Sequence, residues 1–441
     1  MNVLFVDPPV HPDVEGEIMS TVPPLAIYLL AGVLRERGYY VDAWDPRLMI
    51  DLFDNGWDSE AIKIAIQDFD IIAVSSNSFN WGMAKEFINI VKKQENSPLV
   101  ICGGIHPTFF YDHIFEVADI DFVILGDGEY TILKLLEAIE KGENYNSIPN
   151  LVYKCNGNLY KNSFIQEKTI TSYGMPAYDL IPENTYYNLP VETSRGCPFH
   201  CTFCSILDSN NWRGLDAETS IKNIKFALDY LENIPICKSI FIIDNLFTAN
   251  PIRSIEIFDY INTCKTDFTF LFEARCTDII KSNDLVKSIP SNKVSIIQIG
   301  VECGYDDGLH KIKKGLRTED VIKTLECLSN FDLSKKAFLS FMIGFPWEKP
   351  EDCFKTIEFA KFLEEKYKCA TAINWWIPLK SIIWDNRSSY SFSFDEASYD
   401  DPLWTLNKDN IISAYCNLKI EDIMNISKEF KGTLPSFIKA I

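Results

Sequence analysis

Apolar and polar positions alternate along the N-terminal third in a repeating way. Val3-Leu4-Phe5-Val6 is a continuous apolar run that stops at Asp7-Pro8-Pro9, the pattern of a strand buried on both faces. Similar runs recur at 71–74, 99–102 and 122–125, and 41–44 reads as a further strand. Helical spacing fills the intervals, at 25–37 with a stop at Gly38, at 84–93 and at 130–139. Buried strands separated by helices predict an α/β fold with a doubly wound parallel sheet, Rossmann-like in class. Such sheets bind ligands beyond the carboxyl ends of their strands. Small residues punctuate those ends: Ser75-Ser76, Gly103-Gly104 and Gly126-Asp127-Gly128. None of these spacings fits a P-loop or the dinucleotide glycine fingerprint.

From residue 141 to 190 the pattern breaks, and Asn, Tyr and Pro accumulate. A small hairpin is expected around Asn156-Gly157, inside a segment read as a linker between domains. A second strand–helix series then starts at Val191-Glu192-Thr193. Strands are expected at 239–243, 268–272, 294–299, 337–343 and 371–377, with helices such as 220–232 and 318–329 between them. Six strands predict a partial (β/α)6 barrel, because the pattern fades after residue 385 and leaves no room for eight. The expected organisation is therefore a sheet domain at 1–140, a linker at 141–190, a barrel at 191–385 and a C-terminal extension at 386–441. The extension, with Tyr390, Tyr399 and Trp404, is expected to close the open side of the barrel.

A chain of 441 residues is long enough for this plan. Its formal net charge of −20 works against general binding to a phosphate backbone, so no nucleic-acid partner is expected. The uncharged stretch 20–34 is too short to span a bilayer, and the first residues read as a strand rather than a signal peptide. No membrane association is expected, and a cytoplasmic location is. Thirteen cysteines, an odd number in a large chain, do not suit a secreted disulfide scaffold. Ten are scattered singly and read as small buried hydrophobes.

The other three lie together in T-S-R-G-C-P-F-H-C-T-F-C, where Cys197, Cys201 and Cys204 are spaced Cx3Cx2C on the loop after the first barrel strand. A structural zinc site wants a fourth ligand and usually a second CxxC knuckle, which this sequence lacks. Four-cysteine ferredoxin spacings do not fit either. Three thiolates holding a [4Fe-4S] cluster would leave one iron open to another ligand. His200 lies between two of the cysteines and is poorly placed to be a fourth.

This spacing, after the first strand of an α/β barrel, resembles the radical S-adenosylmethionine (radical SAM) superfamily. The resemblance continues downstream through Phe241-Ile-Ile-Asp244-Asn245, Glu273-Ala-Arg275, Gly300-Val-Glu302-Cys303-Gly304, Lys314-Gly315 and Gly344-Phe-Pro346-Trp347-Glu348. Cys303 stands where that family usually has Ser, and Trp347 where it has Gly. The resemblance implies that the three cysteines bind the cluster, whose open iron takes the amino and carboxylate groups of S-adenosylmethionine. It implies Phe203 near the adenine, and Glu273, Arg275 and Glu302 as partners of the amino-acid and ribose groups. These polar groups could equally pair with one another or with solvent. The cluster would need an external reductant such as flavodoxin or ferredoxin.

With that barrel behind it, the first domain resembles the cobalamin-binding domain of the B12-binding radical SAM subgroup. Pro23-Pro24-Leu25, Ser75-Ser76, Gly103-Gly104-Ile-His106-Pro107-Thr108 and Gly126-Asp127-Gly128-Glu129 carry the likeness. It implies cobalamin as a third cofactor, with Pro8, Ser75, Ser76, Gly103, Gly104, His106, Gly126 and Glu129 as candidate contacts. The D-x-H-x-x-G motif of corrinoid mutases is absent, and Asp7-Pro8-Pro9 occupies that loop. His106 is assigned to loop structure or to cofactor packing. Such an enzyme would methylate an unactivated carbon of a small-molecule or peptide substrate by way of a 5′-deoxyadenosyl radical and methylcobalamin. The alternatives are a cyclisation, ring contraction or rearrangement without methyl transfer, or a radical enzyme that has lost cobalamin. Trp375, Trp376 and Trp384 either line an apolar substrate site or pack between barrel and tail.

Overall fold

A computed structural model of the chain describes residues 1–15, 22–54, 56–170, 174–207, 209–232, 234, 237–265, 267–390, 394–405 and 416–429. The chain divides into two units. One comprises Met1–Glu167, Thr171–Thr185 and Asp395–Leu406, and the other Lys168–Ile170, Tyr186–Phe394 and Asn407–Ile441.

The first unit is built on a seven-stranded sheet: β1 (Asn2–Val6), β2 (Tyr40–Trp44), β3 (Ile71–Ser75), β4 (Leu99–Gly103), β5 (Phe122–Ile124), β6 (Leu151–Cys155) and β7 (Asn158–Lys161). The order is β2-β1-β3-β4-β5-β6-β7. The first five strands are parallel, and each apolar run read from the sequence is one of them. Val3 to Val6 are buried without exception, as expected of a central strand covered by helices on both faces.

The segment 141–190 is not a simple linker. Its hairpin, β6 and β7, pairs antiparallel onto β5 and enlarges the sheet. Asn156 and Gly157 both take left-handed backbone angles (φ 49° and 78°), which gives a two-residue turn whose twist suits the hairpin. Leu151, Val152 and Tyr153 are buried against the sheet, so hydrophobic burial holds the hairpin to this unit.

The second unit contains β8 (Asn188–Val191), β9 (Ser194–Arg195), β10 (Arg213–Gly214), β11 (Ser239–Ile242), β12 (Thr269–Ala274), β13 (Val294–Glu302), β14 (Ala337–Ile343) and β15 (Ala370–Trp375). Six of these form one all-parallel sheet in the order β15-β14-β13-β12-β11-β8. Its edges, β8 and β15, are not paired to each other, so the barrel is partial. The first strand ends at Val191, earlier than expected, because the Thr193 N–H is taken by the Asp244 carboxylate at 2.6 Å. Along β14, Ala337, Leu339, Phe341 and Ile343 are buried while Phe338, Ser340 and Met342 are half-exposed. One face of the sheet thus lies under helices and the other is open.

The C-terminal extension does not act as one element. Tyr390 belongs to the second unit, with its ring 5.9 Å from Trp347. Tyr399 and Trp404, expected to close the barrel, belong instead to the first unit. A final helix spans Ile420–Lys428, and residues 391–393, 406–415 and 430–441 lie outside the described residues. No helix among the described residues is long and apolar enough to cross a membrane.

Candidate active site and cofactor sites

The cysteine loop leaves β8 and is fixed at its start by hydrogen bonds. Asp244, at the end of β11 and 1% exposed, accepts from the Thr193 N–H, from Thr193 Oγ1 at 2.5 Å and from Ser194 Oγ at 2.6 Å. Its neighbour Asn245 accepts from the Gly196 N–H at 3.2 Å, immediately before Cys197. Arg253 ties the same stretch from the other side, donating to the Thr193 carbonyl at 2.6 Å. Further along, the Thr202 N–H donates to the Ile312 carbonyl, and the Thr202 carbonyl accepts from the Ile383 N–H at 2.9 Å. The loop is therefore held at both ends by the protein's own groups.

Cys197, Cys201 and Cys204 are each half-buried. Burial raises the Cys197 thiol and pushes Cys204 up to about 11, and the neighbouring thiols add to this. Lys314 opposes the rise at both, and Arg275 at Cys197. Arg275 Nη1 lies 3.9 Å from Cys201 Sγ, and its guanidinium stacks 3.6 Å from the Phe199 ring centroid. Such a set favours thiolates once metal replaces the protons. Among the described residues, no three His, Cys, Asp or Glu side chains group as ligands of one ion. An iron–sulfur cube takes one thiolate at each of several corners, so its ligands stand apart, as three thiols spread over an eight-residue loop can. The donor set fits a cluster better than zinc. His200 points away to the surface, with Nδ1 2.8 Å from Ser209 Oγ.

Beside the thiols lies a buried charged group that the motifs brought together. Glu302 ends β13 with φ +79°, a left-handed backbone that non-glycine residues adopt at a cost. The β13–β14 register shifts between Gly300 and Glu302, which aims the carboxylate at Lys314 Nζ, 2.8 Å away. Both side chains are close to nine-tenths buried or more. A Cβ on Gly300 would stand 2.3 Å from Glu302 Oε1, so only glycine leaves room for this pair. Burial would lower the Lys314 ammonium, but Glu302 and Cys201 act against it and the net shift is upward. Glu273, on the open sheet face, is pushed up to about 7 by burial and by Glu302. Gln298 donates to it at 3.2 Å.

Arg275 Nε is buried and has no hydrogen-bond partner among the described residues. An orphaned donor beside two acidic groups and a buried ammonium fits a zwitterionic ligand with amino, carboxylate and hydroxyl groups. Lys314 completes this set, a residue to which the sequence motif alone assigns no role. Its signal is its place a fixed distance after Gly300-Val-Glu302, and only the structure shows its burial.

Phe203 lies edge-on to Phe345, with centroids 6.3 Å apart. Phe345 in turn stacks on Trp347 at 5.1 Å and on Trp376 at 5.8 Å. Trp375 and Trp376 are buried at the end of β15 and beyond it, and Trp384 is buried between Arg387 and Phe394. Glu348 accepts from the Gly344 and Phe345 N–H groups and from Tyr305 Oη, and so shapes the loop after β14.

In the first unit, the candidate residues gather at the carboxyl edge of the sheet. Asn80 interlocks two loops there. Its Oδ1 accepts from Ser76 Oγ and the Asn77 N–H, and its Nδ2 donates to Asp7 Oδ1 and the Pro8 carbonyl, both at 2.8 Å. Gly104, at φ +98°, brings the next loop so close that a Cβ would meet the Ser76 carbonyl at 2.4 Å. Thr108 Oγ1 accepts from the Gly126 N–H and donates to the Gly104 carbonyl. Ser75, Gly103, Gly104 and Gly126 remain half-exposed, a shelf of nearly bare backbone. That shelf fits close approach of a large ligand. Pro8, Ser76 and Glu129 are buried just behind it.

His106 is elsewhere. It is fully buried, stacked 5.0 Å from Trp81, with Nδ1 3.0 Å from Ser78 Oγ. Burial pushes its imidazole down to about 3. Of its two assignments, loop structure is the one this position supports.

Comparison with known proteins places these two sites in context. Residues 13–136 match the B12 binding domain model and residues 191–360 match the radical SAM superfamily model. An uncharacterized methyltransferase of Pyrococcus horikoshii is 30% identical over 379 residues, covering 83% of this chain and 79% of its own length. The anaerobic magnesium-protoporphyrin IX monomethyl ester cyclase of Synechocystis is 23% identical over 333 residues, and this chain spans 64% of it. Among solved structures, the cobalamin-dependent S-adenosylmethionine radical enzyme OxsB, with aqua-cobalamin and S-adenosylmethionine bound, superposes with a TM-score of 0.70 at 20% identity. That likeness covers 95% of this chain and 57% of OxsB.

Proposed function

Because the chain belongs to the radical SAM enzymes that carry a B12-binding domain, we propose that it is a cobalamin-dependent C-methyltransferase acting on a small-molecule or peptide substrate. The observation that supports this most is the cysteine loop flanked by Arg275 and the buried Glu302–Lys314 pair, in a chain whose residues 13–136 match the B12 binding domain model. When bound, the cluster and S-adenosylmethionine supply a carbon-centred radical that removes hydrogen, and cobalamin supplies the methyl group.

The chain's own residues then have defined tasks. Cys197, Cys201 and Cys204 hold the cluster. Glu302, Glu273 and Arg275 receive the amino-acid and ribose groups of S-adenosylmethionine, and Phe203 packs beside its adenine. Lys314 keeps the Glu302 carboxylate in place and balances the negative charge of the thiolates. Ser75, Gly103, Gly104 and Gly126 let cobalamin approach the backbone, with Pro8, Ser76 and Glu129 behind. Trp347, half-exposed and stacked on the buried Phe345, suits an apolar or aromatic substrate. A flavodoxin- or ferredoxin-type reductant, in a reducing cytoplasm that keeps the other ten cysteines as thiols, completes the reading.

The similarity to the anaerobic cyclase favours a second reading, oxidative cyclisation without methyl transfer. S-adenosylmethionine carrying a deuterated methyl group separates the two. With dithionite, cluster and cobalamin present, a methyltransferase forms both 5′-deoxyadenosine and S-adenosylhomocysteine and moves the label to cobalamin. A cyclase forms 5′-deoxyadenosine alone, which would overturn the methyltransferase reading.

A further inference from the structure

Residues 395–405 follow the barrel in sequence yet belong to the first unit, where they are attached by several independent contacts. The segment opens with a short helical turn, Glu396–Asp400, capped by Asp395. Asp400 then bridges two helices of the sheet domain. Its Oδ1 accepts from Trp81 Nε1 at 2.8 Å and lies 3.6 Å from Lys85 Nζ, both on the helix Trp81–Lys92. Its Oδ2 is 3.0 Å from Nε2 of His113, on the helix Ile105–Val117. Tyr399 is fully buried against His106 and Phe110, with ring centroids 5.4 and 5.6 Å away. Trp404 stacks on Phe79 and donates its Nε1–H to the Ser78 carbonyl at 3.1 Å. The backbone of Pro402 lies so near the helix that a Cβ on Gly82 would stand 2.5 Å from its nitrogen.

These anchors fall on functional loops. Ser78 and Phe79 belong to the loop after β3, and His106 to the start of the helix after β4. Asn80, next in line, locks the β3 loop to Asp7 and Pro8 after β1. The segment therefore presses on the set of loops that presents the small-residue shelf. We propose that residues 395–405 form a strap that positions the cobalamin-binding loops, with Asp400 and Trp404 as its positioning residues; this rests on the cobalamin reading above. The strap acts through Ser78, Trp81 and His106, keeping the loops in one arrangement so that binding does not have to order them.

The test is a hydroxocobalamin titration of the full-length chain with its cluster reconstituted, followed by absorption. Three variants are compared with the parent: Asp400→Ala/Trp404→Ala, Gly82→Ala and Trp404→Phe. Gly82→Ala matters because it leaves the strap sequence intact, favours the helix and displaces Pro402. The double variant and Gly82→Ala are each expected to weaken binding at least about tenfold. Trp404→Phe, which keeps the stacking, should fall between. Cluster content, cluster-dependent 5′-deoxyadenosine formation and the circular dichroism spectrum should stay at parental levels. Unchanged affinity in variants whose strap has become open to limited proteolysis overturns the strap and leaves the cobalamin reading standing. A loss of affinity that only follows unfolding in all three variants also overturns it. A parent chain that binds no cobalamin removes both.

Discussion

The two candidate cofactor sites lie at the carboxyl ends of parallel strands in two sheets, and they are built in different ways. The barrel mouth is made of charge: three thiols, Arg275, the buried Glu302–Lys314 pair and Glu273 lie together. The edge of the first sheet is made of small residues and of hydrogen bonds centred on Asn80, with Gly104 allowing two loops to touch. A charged ligand with a zwitterionic end needs ionic partners fixed in advance. A large ligand that approaches along its length needs room and a steady backbone. The contrast teaches that preorganisation can be ionic or steric, and that the two should fail differently when perturbed.

The largest effect is expected at Asp244, where the ionic site is tied to its scaffold. Asp244→Ala leaves the donors of Thr193 and Ser194 without an acceptor in a buried place. It should cost about 3–5 kcal/mol in unfolding free energy. Iron loading should fall with it while cobalamin binding persists, and chemical denaturation with iron assay would check both. Loss of both cofactors together would break the separation of the two sites.

Gly104→Ala probes the steric site. The new Cβ would meet the Ser76 carbonyl at 2.4 Å and sit at a positive φ. A cost of about 1–3 kcal/mol and a weakened cobalamin titration are expected, with iron content unchanged.

The pH dependence of stability sharpens the ionic half further. Burial, then Glu302, pushes Glu273 from 4.5 up to about 7. The folded chain therefore keeps a proton that the unfolded chain gives up above about pH 4.5. Stability present below that pH is lost as pH rises towards 7. Glu273→Gln should remove about 2–3 kcal/mol of that loss in the protein without cofactors, read from denaturation midpoints at pH 5 and pH 7.5. The smallest effect is expected at His200, whose ring turns to Ser209 on the surface. His200→Ala should leave iron content and the cluster's electron paramagnetic resonance signal unchanged.

Much of this architecture is legible in the order of residues alone. Continuous apolar runs identify four of the five parallel strands of the first sheet, because a strand covered on both faces has no polar side to hide, whereas the edge strand β2 alternates through Asp42. Cx3Cx2C is legible for a chemical reason: few centres use three thiolates on one loop. The hairpin inside 141–190 is legible from Asn156-Gly157, but its attachment to β5 is a long-range event that no local signal states. The strap escapes for a related reason. Tyr399 and Trp404 mark burial in the sequence, but nothing local states which unit buries them. His106 is drawn towards the cofactor by the glycines before it, whereas its aromatic neighbours Trp81, Phe110 and Tyr399 include residues from distant parts of the chain. Lys314 stands in a motif, but its pairing with Glu302 depends on the shift of register between β13 and β14.

The most direct test of two separate cofactor sites in one chain is metal stoichiometry after anaerobic reconstitution with iron, sulfide and cobalamin. The parent should hold about four irons and about one cobalt per chain. A variant with Cys197, Cys201 and Cys204 all replaced by alanine should lose the iron and keep the cobalt. A parent chain that retains iron but no cobalt, or a cysteine variant that keeps its iron, would contradict the account.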